Sequence, residues 1–351
     1  MMLSRKRFEI AHGVRTSTEV FVVSAEAGGI TGWGSGTPSS LVADSAENFV
    51  SALSDFCRHD ISLEDYFDTN ASSNLRKKSP SASAAVDIAM HDLKGKTEGR
   101  SLSEMLGGRP TDIEISATVD LACGESAGEE AAKLVQSGFR IIKLKIGKSV
   151  EEDIRRVFAV REGVGTDVRI ITDANCAYSY DEAVAFLDET ADARLEMLEQ
   201  PIETDHLEQM AGLRGRSEVL ICADESVVNE NDLVSLVEAE AADVVNIKLM
   251  KSGGIGAAIK MKEIANEAGV ETMVGSMGDI GLSIGAAAHI ASSSGMIYAD
   301  LDSHLNIQTV CDGPNVEQGR LRVPSGPGIG VSLLPPWHDA VRRQFAVAAP
   351  P

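Results

Sequence analysis

From about residue 113 the chain repeats one kind of unit. Short β-rich runs recur roughly every 25–30 residues, and an Ala-, Glu- and Leu-rich helical stretch separates each pair. The runs are EISATVD, FRIIKLKIG, VRIITDAN, LEMLEQP, VLICADES, DVVNIKL, ETMVGS and IYADLDS. Strands joined through helices run parallel. Eight such units in about 200 residues predict a closed β/α barrel rather than an open sheet. The runs differ too much from one another for a tandem solenoid. No barrel-length helical stretch follows the eighth.

The first third has another texture. Thr18–Ala25 and Gly28–Gly34 read as strands about a Gly-Gly turn, with helical patterns at about 41–57 and 82–97. Leu106–Pro110, LGGRP, is a helix stop followed by a turn. The expected division is an α+β domain over 1–112, the barrel over 113–315, and a Pro/Gly-rich segment over 316–351 that returns to the first domain.

Composition excludes several functions. A net charge of -21 over 351 residues argues against nucleic acid or an anionic membrane surface as a partner. No run of ~18 apolar residues is present to span a bilayer. The opening MMLSRKRFEIAHG lacks the apolar core of a signal peptide. Cys57, Cys123, Cys176, Cys222 and Cys311 are scattered without a CxxC, which suits a reducing, cytoplasmic compartment.

Reactive groups of a β/α barrel sit at the C-terminal ends of its strands. Read in order, those ends carry Lys143 and Lys145, then Asp173, Glu199, Asp224, Lys248, and finally Asp300 and Asp302. A single Asp at a strand end more often caps the next helix. Three carboxylates on adjacent strands, 26 and then 25 residues apart and flanked by lysines, instead predict convergence at the barrel mouth. Hard oxygen ligands of this kind suit Mg²⁺.

Lys143 and Lys145 are two residues apart and therefore share one strand face. Solvated charges on an edge strand are the alternative, and the isoleucines on both sides argue against it. In a ring of eight, the second and sixth strands lie opposite, so Lys145 and Lys248 are expected to flank a substrate. Burial and crowding by Lys143 are expected to make Lys145 a base near neutrality. A base on each side suits a 1,1-proton transfer through a metal-stabilised enediolate.

Taken together, KLK, TDAN, EQP, ADES and NIKLMKSGGI resemble the muconate-lactonising subgroup of the enolase superfamily over essentially the whole chain. The resemblance implies an N-terminal α+β capping domain on a modified TIM barrel, (β/α)7β, with Mg²⁺ on Asp173, Glu199 and Asp224. Asp300-Leu301-Asp302 looks like the DxD motif of dipeptide epimerases, whose acids hold the substrate ammonium. Met273–Ala291, which includes Ser276, looks like that group's seventh strand and following helix. Thr118 matches a pocket position, and Arg15, in a segment resembling a capping-domain loop, is expected to meet an acidic side chain. The implied activity inverts the α-carbon of a dipeptide's C-terminal residue, with L-Ala-D/L-Glu as the first case. An N-acylamino-acid racemase, an o-succinylbenzoate synthase or a cycloisomerase of the same subgroup is the alternative, with less use for paired acids on the eighth strand. A catalytically silent binding barrel would need decayed lysines or ligands, and all are present. The family often forms higher assemblies, so a homo-oligomer is compatible with the resemblance.

One departure is Gly32-Trp33-Gly34-Ser35, where the family often ends in Glu. Lys251–Ala258, KSGGIGAA, resembles a phosphate loop but reads more simply as a strand-to-helix turn, and His304 reads as structural.

Overall fold

The computed structural model describes residues 1–342 apart from 60, 70 and 217. Two antiparallel hairpins open the chain: β1 (Met2–Ile10) with β2 (Gly13–Glu19), and β3 (Phe21–Ala27) with β4 (Ile30–Gly36). The Gly28-Gly29 turn is as expected, with φ of 57° and 77°. The run Thr18–Ala25, expected as one strand, is broken at the buried Val20, because its halves belong to separate ladders. The β1 strand was not anticipated.

Helices α1 (Ala46–Phe56), α2 (Leu63–Asp68), α3 (Ser73–Lys78), α4 (Pro80–Glu98) and α5 (Leu102–Met105) complete this region. The glycines of β4 have a packing reason. A Cβ on Gly34 would lie 2.0 Å from Ala85 O, and one on Gly32 would lie 2.2 Å from Ala89 O. Strand β4 therefore lies flush on α4, which any side chain there would prevent. Ser35, the residue after Gly34, is buried and donates to Ser283 Oγ at 3.0 Å.

The barrel strands are β6 (Ser116–Val119), β7 (Ile141–Lys145), β8 (Arg169–Asp173), β9 (Met197–Glu199), β10 (Leu220–Ala223), β11 (Val244–Lys248), β12 (Glu271–Gly275) and β13 (Tyr298–Ala299), parallel and in sequence order. A two-residue strand, β5 (Ile113–Glu114), leads into β6 and pairs with the hairpin β14 (Val316–Glu317) and β15 (Arg320–Leu321). Between the barrel strands run α6 (Ala127–Gln136), α7 (Val150–Val164), α8 (Tyr180–Glu189), α9 (Leu207–Leu213), α10 (Glu230–Glu238), the short α11 (Leu249–Ser252) with α12 (Ile255–Glu267), and α13 (Gly281–Ser294). A 3₁₀ turn, Ser303–Asn306, comes directly after β13 in place of an eighth barrel helix, as expected for (β/α)7β. Ser149, Ser179 and Asn229 cap α7, α8 and α10.

Among the described residues no backbone ladder joins β6 to β13. Side chains cross that seam instead: Ser116 Oγ donates to Asp300 Oδ1 at 3.2 Å, and Thr118 N–H donates to Asp302 Oδ2 at 2.7 Å. The chain ends in α14 (Pro335–Arg342), and residues 343–351 of the expected C-terminal segment lie outside the described ones. Before α14 the chain returns to α4. The buried Asp92 accepts from Ile329 N–H at 2.9 Å, Trp33 N–H at 2.8 Å and Lys96 Nζ at 2.6 Å.

His289 on α13 ties three segments. Its Nδ1 meets Ser103 Oγ at 2.7 Å and its Nε2 meets Ile329 O at 3.2 Å. Burial pushes its imidazole from 6.5 down to about 4. Between those values the unfolded chain binds the extra proton, so this residue's stabilisation is full above pH 6.5 and is lost as pH falls toward 4. The His289→Asn variant should therefore show a pH slope of unfolding free energy smaller by about one proton in that window. Denaturant titrations across the window check this, and identical slopes would mean that His289 titrates alike in both states.

Candidate active site

The barrel's inward face is built in layers two residues apart, the period of a strand. Its lower layer is an apolar plug of Ile141, Ile171, Met197, Cys222, Val244, Met273 and Tyr298. Two residues further along the same strands come Lys143, Asp173, Glu199, Asp224, Asn246, Gly275 and Asp300. Lys145, Lys248 and Asp302 stand one layer higher. A core strand carries two lysines because the plug ends at Ile141 and a polar layer begins. Gly275 leaves room there, since a Cβ would meet Lys248 Cε at 2.9 Å and Asn246 Oδ1 at 2.4 Å.

The geometry is a lattice of ammonium and carboxylate groups. Lys143 Nζ lies 2.7 Å from Glu199 Oε2, 2.7 Å from Asp300 Oδ2 and 3.0 Å from Asp173 Oδ2. Lys145 Nζ donates to Asp173 Oδ2 at 2.5 Å and to Asn175 Oδ1 at 3.0 Å. Lys248 Nζ donates to Asp224 Oδ2 at 2.5 Å, and Lys251 Nζ to Asp224 Oδ1 at 2.5 Å. The expected crowding of Lys145 by Lys143 is thus answered by the Asp173 carboxylate, which touches both.

These pairings set the protonation preferences. Burial disfavours the ammonium of Lys143, but Asp173, Asp300 and Glu199 outweigh it and hold that group well above the ordinary lysine range. Lys248 is likewise raised, with Asp224 overcoming burial. Asp173 and Asp224 are held below the usual carboxylate range, because lysines overcome their burial. Glu199 goes the other way: burial and then the Asp173 charge push it up to about 7. Burial and the Asp224 charge push Glu225 up to about 7 as well.

The three carboxylates stand on adjacent strands as expected, but they are not a ready-made cage. Among the described residues no three carboxylate, imidazole or thiolate groups are spaced to hold an ion as they stand. Ammonium groups lie between them. The donor set nevertheless fits a hard divalent cation. Four lysines (143, 145, 248, 251) face seven carboxylates (Asp173, Glu199, Asp224, Glu225, Asp279, Asp300, Asp302). Glu199 Oε2 is buried and accepts no hydrogen bond, despite its 2.7 Å approach to Lys143 Nζ. Carboxylate oxygens are the usual protein ligands of such a cation.

A cavity lies over these groups. Lys143, Lys145, Lys248, Asp224, Asp300 and Asp302 line it from the barrel, with Thr118 and Ser276. Arg5, Phe8, Ile10, Arg15, Leu41 and Val42 line it from the N-terminal region. Asp173 and Glu199 are buried and do not line it. Ser276 Oγ donates to Asp300 O at 3.0 Å. Arg15 is on strand β2, not in a loop, because the segment around it forms the β1–β2 hairpin. It is half-buried, as is Arg5, and among the described residues neither guanidinium has a carboxylate within ion-pair distance.

The sequence reading missed Asn246, Lys251, Asn175 and Glu225. Asn246 donates to Glu199 Oε1 at 2.8 Å, and its place two residues before Lys248 was the available signal. Lys251 pairs with Asp224 one helical turn beyond Lys248. Asn175, at φ 44°, joins Lys145 to Glu225 by donating from Nδ2 to Oε1 at 3.0 Å. The KSGGIGAA turn holds no anion-binding helix start: Asp87 Oδ2 already accepts from Ile255 N–H at 2.6 Å and Gly256 N–H at 3.3 Å. His304 is half-buried, its Nε2 meets Pro314 O at 3.2 Å, and it does not line the cavity. No described helix is long and apolar enough to cross a membrane.

Comparison with known proteins agrees with this architecture. Residues 2–107 match the mandelate racemase / muconate lactonizing enzyme N-terminal domain, and residues 126–337 match the enolase C-terminal domain-like family. The hydrophobic dipeptide epimerase of Enterococcus faecalis is 33% identical over 93% of this chain and 96% of its own. A crystal structure of the dipeptide epimerase from that organism, complexed with Mg and L-Leu-L-Tyr, superposes with a TM-score of 0.90 at 32% identity, over 95% of this chain and 97% of that one. The L-Ala-D/L-Glu epimerase of Bacillus subtilis is 34% identical over 91% of this chain and 90% of its own. The N-succinyl-L-Arg/Lys racemase of Bacillus cereus is 32% identical over 72% of this chain and 70% of its own. The chain belongs to the mandelate racemase / muconate lactonizing branch of the enolase superfamily.

Proposed function

We propose that this chain is a Mg²⁺-dependent dipeptide epimerase that inverts the α-carbon of the C-terminal residue. The observation that carries the reading is the pairing of Lys145 with Asp173 and Lys248 with Asp224, two lysines on opposite barrel strands that both reach the cavity. Asp173, Glu199 and Asp224 would hold the ion. Bound there, Mg²⁺ would supply fixed positive charge beside a substrate carboxylate. Each lysine is paired to one carboxylate of that trio, so competition for the carboxylate releases the ammonium and favours the neutral amine. One neutral lysine takes the α-proton, and the ammonium of the other returns one to the opposite face. The barrel seam supplies acids for the substrate's ammonium in Asp300 and Asp302, with Thr118 and Ser276 beside them.

The test is a panel of L-Ala-X dipeptides against N-acetyl and N-succinyl amino acids, compared by kcat/KM. Free-amine substrates should win by about 10²-fold or more, as expected when a buried acid is left without its cation. A preference for the N-acylated set would favour the racemase reading that the Bacillus cereus relative represents.

Arg15, with Arg5 beside it, gives the cavity a positive wall, and among the described residues no carboxylate stands within ion-pair distance of either guanidinium. An acidic C-terminal side chain, as in L-Ala-L-Glu, is the complementary substrate. Arg15→Gln should raise KM for L-Ala-L-Glu by about 10–100-fold and leave L-Ala-L-Leu nearly unchanged. Equal effects on both would remove Arg15 from specificity.

A further inference from the structure

Lys145 stands where the barrel's backbone ladder stops on one side. The ladder between β6 and β7 pairs Ser116 with Ile141 through to Val119 with Leu144 and ends there. Asp120 and Lys145 are the next pair in that register. Toward β8 the ladder continues through Lys145 itself, paired with Asp173. On the β6 side a guanidinium stands in. Arg156 of α7 donates from Nη1 to Lys145 O at 2.6 Å and from Nη2 to Asp120 O at 2.9 Å. We propose that Arg156 is the positioning residue for Lys145: it replaces the ladder bond that β6 does not supply, and it places that one base and not Lys248. The proposal rests on the two-base reading and deepens it.

Arg156 is 2% exposed and does not line the cavity, so it acts only through other residues. Burying a charge is costly, and here the buried Asp153 at 3.5 Å and the two carbonyls offset it. A planar guanidinium forks to two carbonyls from one fixed direction, which a flexible ammonium does not. The same helix holds the turn that follows. Asp153 Oδ2 accepts from Gly147 N–H at 2.8 Å, Lys148 N–H at 3.1 Å and Tyr178 OH at 2.9 Å. Ile146 N–H donates to Asp173 O at 2.9 Å. The backbone is therefore tied at every residue from Lys145 to Lys148.

The support is one-sided. Lys248 runs directly into α11, and the cation that holds its surroundings is Lys251, which donates to Asn246 O at 3.0 Å. The other carbonyl held by Arg156 belongs to Asp120, whose Oδ2 accepts Glu9 N–H at 3.2 Å. Glu9 lies on β1 between Phe8 and Ile10, which line the cavity. Arg156 thus ties the strand end of Lys145 both to β6 and, through Asp120, to one wall of the cavity. A misplacement of about 1 Å in a reacting group is enough to cost about 10²-fold in rate.

The test places Arg156→Gln in two backgrounds, Lys248→Ala, which keeps Lys145 alone, and Lys145→Ala, which keeps Lys248 alone. Proton NMR in D₂O with Mg²⁺ measures α-proton exchange on the purified diastereomers of the best L-Ala-X dipeptide. With Lys145 as the only base, Arg156→Gln should slow exchange by about 10–100-fold, in kcat rather than KM. With Lys248 as the only base, the same substitution should slow exchange by less than about threefold, and that surviving exchange shows the barrel is folded. If Arg156→Gln is lost to misfolding, Arg156→Lys keeps a cation beside Asp153 without the fork and repeats the comparison. Equal losses in both backgrounds would make Arg156 a general structural residue and overturn the proposal, as would undiminished exchange by Lys145. Single-lysine variants that exchange both diastereomers, or neither, overturn the two-base reading before Arg156 is altered.

Discussion

Lys145→Ala and Lys248→Ala should each fold and epimerise no dipeptide, with turnover down by about 10³-fold or more. Folding survives because neither deletion strands a carboxylate. Asp173 keeps Lys143 at 3.0 Å, and Asp224 keeps Lys251 at 2.5 Å. The sharper expectation is a difference between the two variants. A two-base inversion needs both lysines, but exchange of the α-proton with solvent needs one. Lys145→Ala should exchange the α-proton of one diastereomer only, and Lys248→Ala that of the other. Proton NMR in D₂O on purified diastereomers reads this directly. Two variants that exchange the same diastereomer, or that still invert, would rule out one base on each face.

Glu199→Gln should lose Mg²⁺ and activity together. Glu199 Oε1 accepts from Asn246 Nδ2 at 2.8 Å, and Oε2 faces Lys143 Nζ at 2.7 Å. Both neighbours are donors, so glutamine must turn its own NH₂ toward one of them. The substitution also removes one of three charges proposed to hold the ion. Calorimetric affinity for Mg²⁺ should fall by about 10²-fold, within the range seen when a metal site loses a supporting group. The wild type's thermal stabilisation by Mg²⁺ should vanish with it, since a ligand that binds only the folded state raises its stability. Chelator should silence the wild type and added Mg²⁺ restore it. An unaltered binding isotherm in Glu199→Gln would remove this residue from the ion's ligands.

Much of this site could be read from sequence because a barrel strand reports its inward face with period two. KLK, TDAN, EQP, ADES and NIK each place a polar residue two positions after an apolar plug residue, so register alone brings them to one level. What escaped were contacts set by distant segments. MLSRKRFEI carries charges along most of its length, and only Leu3 and Ile10 are buried. It becomes a strand by pairing with β2, and Arg5 forms an isolated bridge with Ile307, just beyond the last barrel strand. No local pattern encodes that partner, and it is what turns Arg15 from a loop residue into a cavity wall. Lys251 escaped because the chain changes from strand to helix after Lys248, and the useful spacing changes from two to three or four. The expected lone-pair chemistry of Lys145 also depends on Asp173 lying between two ammonium groups, a distance no spacing in the sequence supplies.

The most direct test of the central claim is proton NMR of L-Ala-L-Glu in D₂O with Mg²⁺ and a catalytic amount of the wild-type protein. The account predicts that the glutamate α-proton signal disappears while L-Ala-D-Glu appears, with the alanine α-proton untouched. A C-terminal α-proton that persists across the whole L-Ala-X panel would contradict it.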